Sequence, residues 1–457
     1  MTARIPGAPP RIGSRPIVAI VGRPNVGKSA LFNRLAGARL AIVEDQPGVT
    51  RDRHYADADL FGVPAIVVDT GGFDPEPGDP VTDLTRSQVL VAVAEADVLV
   101  CVFDGRTELT AADHETVRLL RRSAKPVVFA ANKVDGDRQE SGAFQAYELG
   151  IDDLVLISAL HGRGVGDLVD RVVAALPERA EAPTEDDEQR RDDVRVAIVG
   201  RPNVGKSSLT NRILGEERML TDDRPGTTRD AIDSLFEHDG RRLVLIDTAG
   251  VRRRSRVADA PERHAVFAAI RSLERAHVAV LLVDAASGAA EQDARIAGLA
   301  IDRGCGLVLA PNKLDLIEGG EARRSVERQC RDVFTFVRYA PLVGVSAKTG
   351  RGVRRLLETV VALADEYNRR VGTGELNQFL EELVARKPPP LRGTRPVKLY
   401  YAAQVAVRPP KFVITCNYPD AIHFSYHRFV TNRIRERFGF EHAPLRVVFK
   451  ARGRRGK

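Results

Sequence analysis

Gly22-Arg23-Pro24-Asn25-Val26-Gly27-Lys28-Ser29 recurs without a change as Gly200-Arg201-Pro202-Asn203-Val204-Gly205-Lys206-Ser207, 178 residues further on. Both octapeptides fit G-x-x-x-x-G-K-[ST], the loop whose backbone wraps phosphate groups. An apolar run suited to a buried strand precedes each one, over residues 17–21 and 194–199. A helical pattern follows each: Ala30-Leu31-Phe32-Asn33-Arg34-Leu35 and Ser208-Leu209-Thr210-Asn211-Arg212-Ile213. Strand, glycine loop and helix in that order are the context the motif requires. The glycines let backbone N–H groups turn inward around phosphates at the positive end of the helix. Lys28 and Lys206 can then reach the β- and γ-phosphates, and the Ser29 and Ser207 hydroxyls can ligate Mg²⁺.

The duplication extends well beyond the loops. Pro47-Gly48-Val49-Thr50-Arg51-Asp52 matches Pro225-Gly226-Thr227-Thr228-Arg229-Asp230, and Asp69-Thr70-Gly71-Gly72 matches Asp247-Thr248-Ala249-Gly250, both at the same offset. Asn132-Lys133-Val134-Asp135 returns as Asn312-Lys313-Leu314-Asp315, and Ser158-Ala159 as Ser346-Ala347, at offsets of 180 and 188. A period this long means tandem whole domains rather than a solenoid. Apolar runs alternate with helical stretches in each copy, which predicts a mostly parallel sheet covered on both faces.

The smaller motifs select the base and the metal. A carboxylate at Asp135 or Asp315 can accept from the N1–H and exocyclic amine of guanine. Adenine offers no such paired donors, so the expected nucleotide is GTP or GDP. Asn132 and Asn312 either contact the base or brace the loop. Ser158-Ala159 and Ser346-Ala347 are expected to offer backbone N–H groups to the guanine oxygen. Asp69 and Asp247 are expected at strand ends, holding Mg²⁺ through water. Gly72 and Gly250 are placed to sense the γ-phosphate. Thr50 and Thr228 are the candidates for a switch threonine that ligates Mg²⁺ only in the GTP state. Phe73 and Val251 follow the glycines where Ras-like enzymes carry a water-orienting glutamine, and neither can hydrogen-bond a water. Transition-state charge must therefore be met by another group. The segment Arg252-Arg253-Arg254-Ser255-Arg256 is either a basic switch contact or an exposed loop.

Composition bounds the remainder. With 457 residues, 43% apolar and 29% charged, the chain can bury several cores, and about three domains follow from length. No apolar stretch reaches the length of a membrane span. Residues 1–15 lack a hydrophobic run, so a disordered extension is expected rather than a secretory signal. The four cysteines are scattered without a C-x-x-C pair, which argues against a zinc site or disulfide framework and for a reducing cytoplasmic setting. Residues 177–193, rich in Glu, Asp, Pro and Arg, read as an acidic linker. Residues 387–457 hold 16 Lys and Arg against three Asp and Glu. That is a net +13, leaving residues 1–386 at −6 out of the whole chain's +7. Such asymmetry points to an anionic partner at the C-terminal end.

The third segment predicts α-β-β-α-β. A helix is expected over 376–385, strands over 397–407 and 411–416 around a Pro409-Pro410 turn, a basic helix over 424–438 and a last strand over 445–449. Arg and Lys interleave with aromatics there, as in Lys398-Leu399-Tyr400-Tyr401 and Tyr426-His427-Arg428-Phe429. That mixture suits RNA, through phosphate contacts and stacking, or serves domain packing. His423 and His427 stand four apart, but no further His or Cys joins them as a metal cluster.

Two G-R-P-N-V-G-K-S loops, each followed by P-G-x-T-R-D, D-T-x-G and N-K-x-D, with a trailing basic α+β segment, closely resemble the Der (EngA) double-GTPase family of bacteria. The resemblance covers about residues 17–452 and implies a KH-like third domain, although residues 370–450 show no obvious G-x-x-G loop of classical KH domains. It implies GTP hydrolysis, Mg²⁺ dependence, potassium stimulation and a role in assembling the large (50S) ribosomal subunit through ribosomal RNA. In GTPases with the loop asparagine, here Asn25 and Asn203, that residue helps bind potassium; a partner-supplied residue is the rival source of charge. A monomer without membrane attachment is expected. The expected divisions are 16–176 and 194–369 for the GTPase domains, 370–450 for the KH-like domain and 451–457 for a basic tail.

Overall fold

A computed structural model of the protein describes residues 15–37, 55–70, 90, 92–93, 96–123, 125–136, 144–176, 193–216, 218–219, 233–247 and 262–451. The chain divides into two compact units, one built on residues 14–185 with 261–271 and the other on 186–260 with 272–457.

The first unit runs β1 (Ile17–Val21), α1 (Lys28–Ala36), β2 (Tyr55–Leu60), β3 (Val63–Asp69), β4 (Val98–Asp104), α2 (Ala111–Arg121), β5 (Val127–Asn132), β6 (Leu154–Leu156) and α3 (Val165–Ala175). Its sheet has the order β2-β3-β1-β4-β5-β6, parallel throughout except where β2 meets β3. The pattern follows from the side chains. Central β1 is Ile-Val-Ala-Ile-Val and buried at every position, as a strand covered on both faces must be. Edge strand β2 alternates Ala56, Ala58 and Leu60 inward with Asp57 and Asp59 outward. Strand β1 pairs with β3 on one side and β4 on the other, so the sheet order reverses beside it. The loop leaving β1 for α1 therefore opens at a topological switch point, where ligands bind in open α/β sheets.

The second copy repeats this plan in chain order: β7 (Val194–Val199), α4 (Lys206–Glu216), β8 (Arg218–Met219), β9 (Ser234–His238), β10 (Arg241–Leu245), α5 (Glu262–Arg275, of which 262–271 cluster with the first unit), β11 (Val278–Asp284), α6 (Glu291–Asp302), β12 (Gly306–Asn312), α7 (Gly320–Val333) and α8 (Val353–Asn368). The order is β12-β11-β7-β10-β9-β8, again with the phosphate loop leaving the strand at the reversal. The counterpart of β6 is reduced to a single parallel bridge between Leu309 and Leu342.

The same unit continues into α9 (Thr373–Arg386), a short hairpin of β13 (Leu391–Arg392) and β14 (Arg395–Pro396), β15 (Leu399–Val407), β16 (Pro410–Cys416), α10 (Phe424–Phe438) and β17 (Arg446–Ala451). The α-β-β-α-β order is as the sequence predicts, in a sheet β15-β16-β17. One detail corrects it: the turn is Arg408-Pro409, and Pro410 opens β16, a first-residue position where strands accommodate proline. Asn377 on α9 donates to Ala402 O (2.9 Å) and accepts from Ala402 N (2.8 Å), closing part of the exposed edge of β15.

This third domain shares its core with the second α/β domain. Leu363, Ala364 and Tyr367 of α8 belong to one buried apolar set with Leu376, Phe379, Phe412 and Phe440. Polar contacts fix the junction. Glu366 Oε2 accepts from the N–H groups of His442 (2.8 Å) and Ala443 (3.0 Å). Arg446 Nη2 donates to Asp302 O at 2.8 Å, and the Arg435 guanidinium lies 4.5 Å from the centre of the Tyr339 ring. Domain packing is therefore one use of the basic residues. Replacing Glu366 by Ala would leave two partly buried N–H groups without their carboxylate, at a cost of about 2 kcal/mol. A urea titration of Glu366→Ala should show a lowered midpoint with an unchanged slope.

Candidate nucleotide sites

Each phosphate loop is built by close backbone approaches that only glycine permits. A Cβ on Gly22 would meet Val102 O at 2.4 Å, and one on Gly200 would meet Leu282 O at 2.5 Å. Gly27 and Gly205 combine φ near +95° and +101° with an Asn carboxamide where a Cβ would stand, 2.2 Å from Asn132 Nδ2 and 2.3 Å from Asn312 Nδ2. Asn25 and Asn203 also take positive φ, 65° and 62°, which asparagine tolerates better than most residues. The asparagine of the loop thus has a backbone reason to be there, beside the cation-binding role expected of it. Pro24 and Pro202 precede these turns, and Val26 and Val204 are buried anchors beneath them.

Lys28 Nζ donates to Gly22 O and Arg23 O, both at 2.8 Å, and Lys206 Nζ does the same to Gly200 O (2.9 Å) and Arg201 O (2.7 Å). Burial holds the Lys28 ammonium below its ordinary pKa, and Asp69 partly offsets this. Ser29 Oγ donates to Asp69 Oδ2 at 2.6 Å, so a hydroxyl and a buried carboxylate converge at the start of α1. Both are hard oxygen donors of the kind Mg²⁺ takes. Asp69 ends β3 as expected, with Thr70 behind it donating from Oγ1 to Ile20 O at 2.7 Å. Asp247 lies two residues beyond the end of β10, at φ 60°, and its N–H donates to Asp233 Oδ1 at 3.0 Å. Ser207 is the second residue of α4, as Ser29 is of α1.

The Arg side chains of the two loops turn to protein partners. Arg23 Nε pairs with Asp113 Oδ2 (3.1 Å), and Arg201 Nε with Asp293 Oδ2 (3.0 Å), each carboxylate lying in the first turn of the helix after β4 or β11. They brace the loops. Burial raises the Asp293 carboxyl above its ordinary range, with Arg201 opposing it.

The asparagines act as braces too, one of the two roles expected of Asn132 and Asn312. Asn132 Nδ2 donates to Val26 O (2.8 Å) while its Oδ1 accepts from Ala159 N (2.8 Å). Asn312 repeats both bonds, to Val204 O (2.8 Å) and from Ala347 N (2.9 Å). One carboxamide thereby ties the phosphate loop to the Ser-Ala loop in each domain. The Ala159 and Ala347 N–H groups expected to face guanine are engaged by these bonds. Ser158 Oγ donates to Asp135 Oδ1 (2.7 Å) and Ser346 Oγ to Asp315 Oδ1 (2.6 Å). These hydroxyls are the main reason both carboxyls lie below their usual range. Lys133 and Lys313, at φ 69° and 68°, donate to Asp104 Oδ2 and Asp284 Oδ2, both at 2.6 Å. Val134 is buried beneath the motif, whereas Leu314 begins a short 3₁₀ turn.

Two contributions escaped the sequence reading. Arg34 Nη2 donates to Leu160 O (2.5 Å), and Arg34 Nε to Ala159 O; Arg212 binds Ala347 O (3.3 Å) and Lys348 O (2.5 Å). Asp104 and Asp284 anchor the motif lysines. The available signal was the Asn-Arg pair repeated in both helices and the Asp ending both apolar runs. Thr50, Gly71, Gly72, Phe73, Thr228, Thr248, Ala249, Gly250, Val251 and residues 252–256 lie outside the described residues, as do residues 1–14, 177–192 and 452–457. Among the described residues, no helix is long and apolar enough to cross a membrane. All four cysteines are free and buried.

Two sheets of this topology, each carrying a phosphate loop and an N-K-x-D motif whose aspartate accepts from a serine hydroxyl, define a tandem P-loop GTPase. A family model described as "50S ribosome-binding GTPase" matches residues 17–133 and 195–313. One described as "KH-domain-like of EngA bacterial GTPase enzymes, C-terminal" matches 370–450. The protein named GTPase Der from Geotalea daltonii is 47% identical over 439 residues, covering 96% of this chain and 98% of its own. GTPase Der from Syntrophobacter fumaroxidans is 48% identical over 442 residues, covering 96% and 99%. The chain belongs to the Der (EngA) family of GTPases.

Gly27→Ala combines a forced positive φ with a collision at Asn132. It should weaken guanine nucleotide binding in the first domain roughly tenfold or more. Fluorescent GDP titration should show that loss at one of two sites, and Gly205→Ala should show it at the other.

Proposed function

We propose that both heads bind and hydrolyse GTP, and that the protein acts in late assembly of the large (50S) ribosomal subunit through nucleotide-dependent contact with ribosomal RNA or pre-ribosomal particles. The observation that supports guanine as the base is the recurrence, in both heads, of an N-K-x-D carboxylate fixed by a serine hydroxyl: Asp135 with Ser158, Asp315 with Ser346. In this reading the boundaries are 16–176, 194–369 and 370–450, the setting is the cytoplasm, and the protein works as a monomer.

The roles follow from the placement. Backbone N–H groups of Gly22–Ser29 and Gly200–Ser207 cradle the phosphates, with Lys28 and Lys206 moving from their own loop carbonyls to the β- and γ-phosphates. Ser29 with Asp69, and Ser207 with Asp247, would hold Mg²⁺, joined by Thr50 and Thr228. Bound there, Mg²⁺ neutralises charge on the phosphate oxygens. Asn25 is exposed, and its side chain makes no hydrogen bond among the described residues. That fits a ligand for potassium, as does Asn203 in the second head. Such a cation would supply the charge that Phe73 and Val251 cannot. Gly72 and Gly250 would report the γ-phosphate.

The ribosomal partner is supported by the +13 charge of residues 387–457 and by family membership. If both heads turn over, Lys28→Ala and Lys206→Ala should each retain GTP hydrolysis from the remaining head, and the double variant should retain none. Sedimentation with 30S, 50S and 70S particles should give migration with 50S that needs a non-hydrolysable GTP analogue and survives moderate salt. Binding to all particles, blind to nucleotide and lost in salt, would refute the proposal.

A further inference from the structure

The two heads are internal controls for one another, and they differ at the carboxylate that meets the base. In the first head the loop after β4 carries Arg106, whose N–H donates to Asp104 Oδ1 at 3.0 Å. In the second head the same position, 180 residues on, is Ala286, whose N–H donates to Asp284 Oδ1 at 2.9 Å. The backbone turn and the Asp–Lys brace are thus the same in both. Only the side chain differs. Arg106 Nε donates to Lys133 O at 3.0 Å, and its Nη2 pairs with Asp135 Oδ2. Two of its nitrogens are engaged at once, so the guanidinium is held against the carboxylate. His161 Nε2 stands 4.0 Å from the other oxygen. In the second head no guanidinium reaches Asp315 among the described residues. Lys348 contributes charge there without a hydrogen bond to it.

A carboxylate that reads guanine presents one oxygen to N1–H and the other to the exocyclic amine. In the first head one oxygen takes the Ser158 hydroxyl and the other the guanidinium. Guanine donors arriving at Asp135 meet a carboxylate already neutralised by a neighbouring cation. At Asp315 they meet one that carries the serine bond, a backbone bond and nearby lysine charge, but no guanidinium among the described residues. We propose that Arg106 is a competing cation for the guanine-reading carboxylate of the first head, loosening guanine nucleotide there relative to the second. This inference rests on the reading of Asp135 as the base-recognition group. It makes the asymmetry between the heads a property of one side chain outside the shared motifs.

Arg106 and Ala286 are both exposed, so exchanging them leaves the cores untouched. The probe is fluorescently labelled GDP, measured for one head at a time with the other loop carrying Lys→Ala. Arg106→Ala should tighten GDP in the first head roughly two- to fivefold, the range of a partly exposed ion pair, and the gain should shrink as salt rises. Ala286→Arg should loosen the second head by a similar factor. Unchanged or weaker binding in Arg106→Ala would overturn the proposal, because the arginine would then be neutral or would help hold the base. Asp135→Asn separates this from the underlying reading. If Asp135 reads guanine, that variant should shift preference toward xanthine nucleotides, and adding Arg106→Ala to it should then change nothing. No shift toward xanthine means that Asp135 does not read the base, and the underlying reading fails. A shift toward xanthine with no effect of Arg106→Ala in the parent refutes the competing cation alone.

Discussion

The carboxamide of Asn132, and its twin at Asn312, is the interaction on which each head depends. It joins the phosphate loop to the Ser-Ala loop, through one bond to Val26 O and one from Ala159 N in the first head. Those loops leave strands far apart in sequence, and nothing else described ties them so directly. The geometry also explains the second glycine of the phosphate loop: any Cβ at Gly27 or Gly205 would occupy the place of the carboxamide nitrogen. Buried polar groups bonded at both ends in this way favour one arrangement, because an alternative that broke either bond would leave an amide dipole without its partner.

Around that brace the remaining polar groups fall into two layers. Lys28, Ser29 and Asp69 are the groups proposed to meet phosphate and metal. Arg23, Arg34, Thr70 and Asp104 bind other protein groups and hold those residues in place. The loop arginines illustrate the division. Their position in the motif suggests phosphate contact, yet they pair with Asp113 and Asp293 in the first turn of a following helix. An anchored loop loses less freedom when nucleotide binds, so the bracing contributes to affinity without touching the ligand.

Much of this was legible in the sequence because its signals are local. The strand-loop-helix context of Gly22–Ser29, the paired N-K-x-D motifs and the apolar runs of β1, β4 and β11 each lie within a few residues. The third domain's order was legible for the same reason, since α10 and β16 have clear periodicity. What was missed is non-local or too short. Arg34 reaches a loop 125 residues away, and Glu366 reaches His442 across 76 residues. Hairpin β13–β14 has two residues per strand, too few to show any period. Pro410 was placed in a turn because proline pairs mark turns, whereas a strand's first residue tolerates proline equally well.

The central claim is that the chain holds two complete guanine sites. Calorimetric titration of the full chain with GDP, beside an identical titration with ADP, tests it most directly. The account predicts two equivalents of GDP per chain and no heat of binding from ADP. A single equivalent, or comparable binding of ADP, would contradict it.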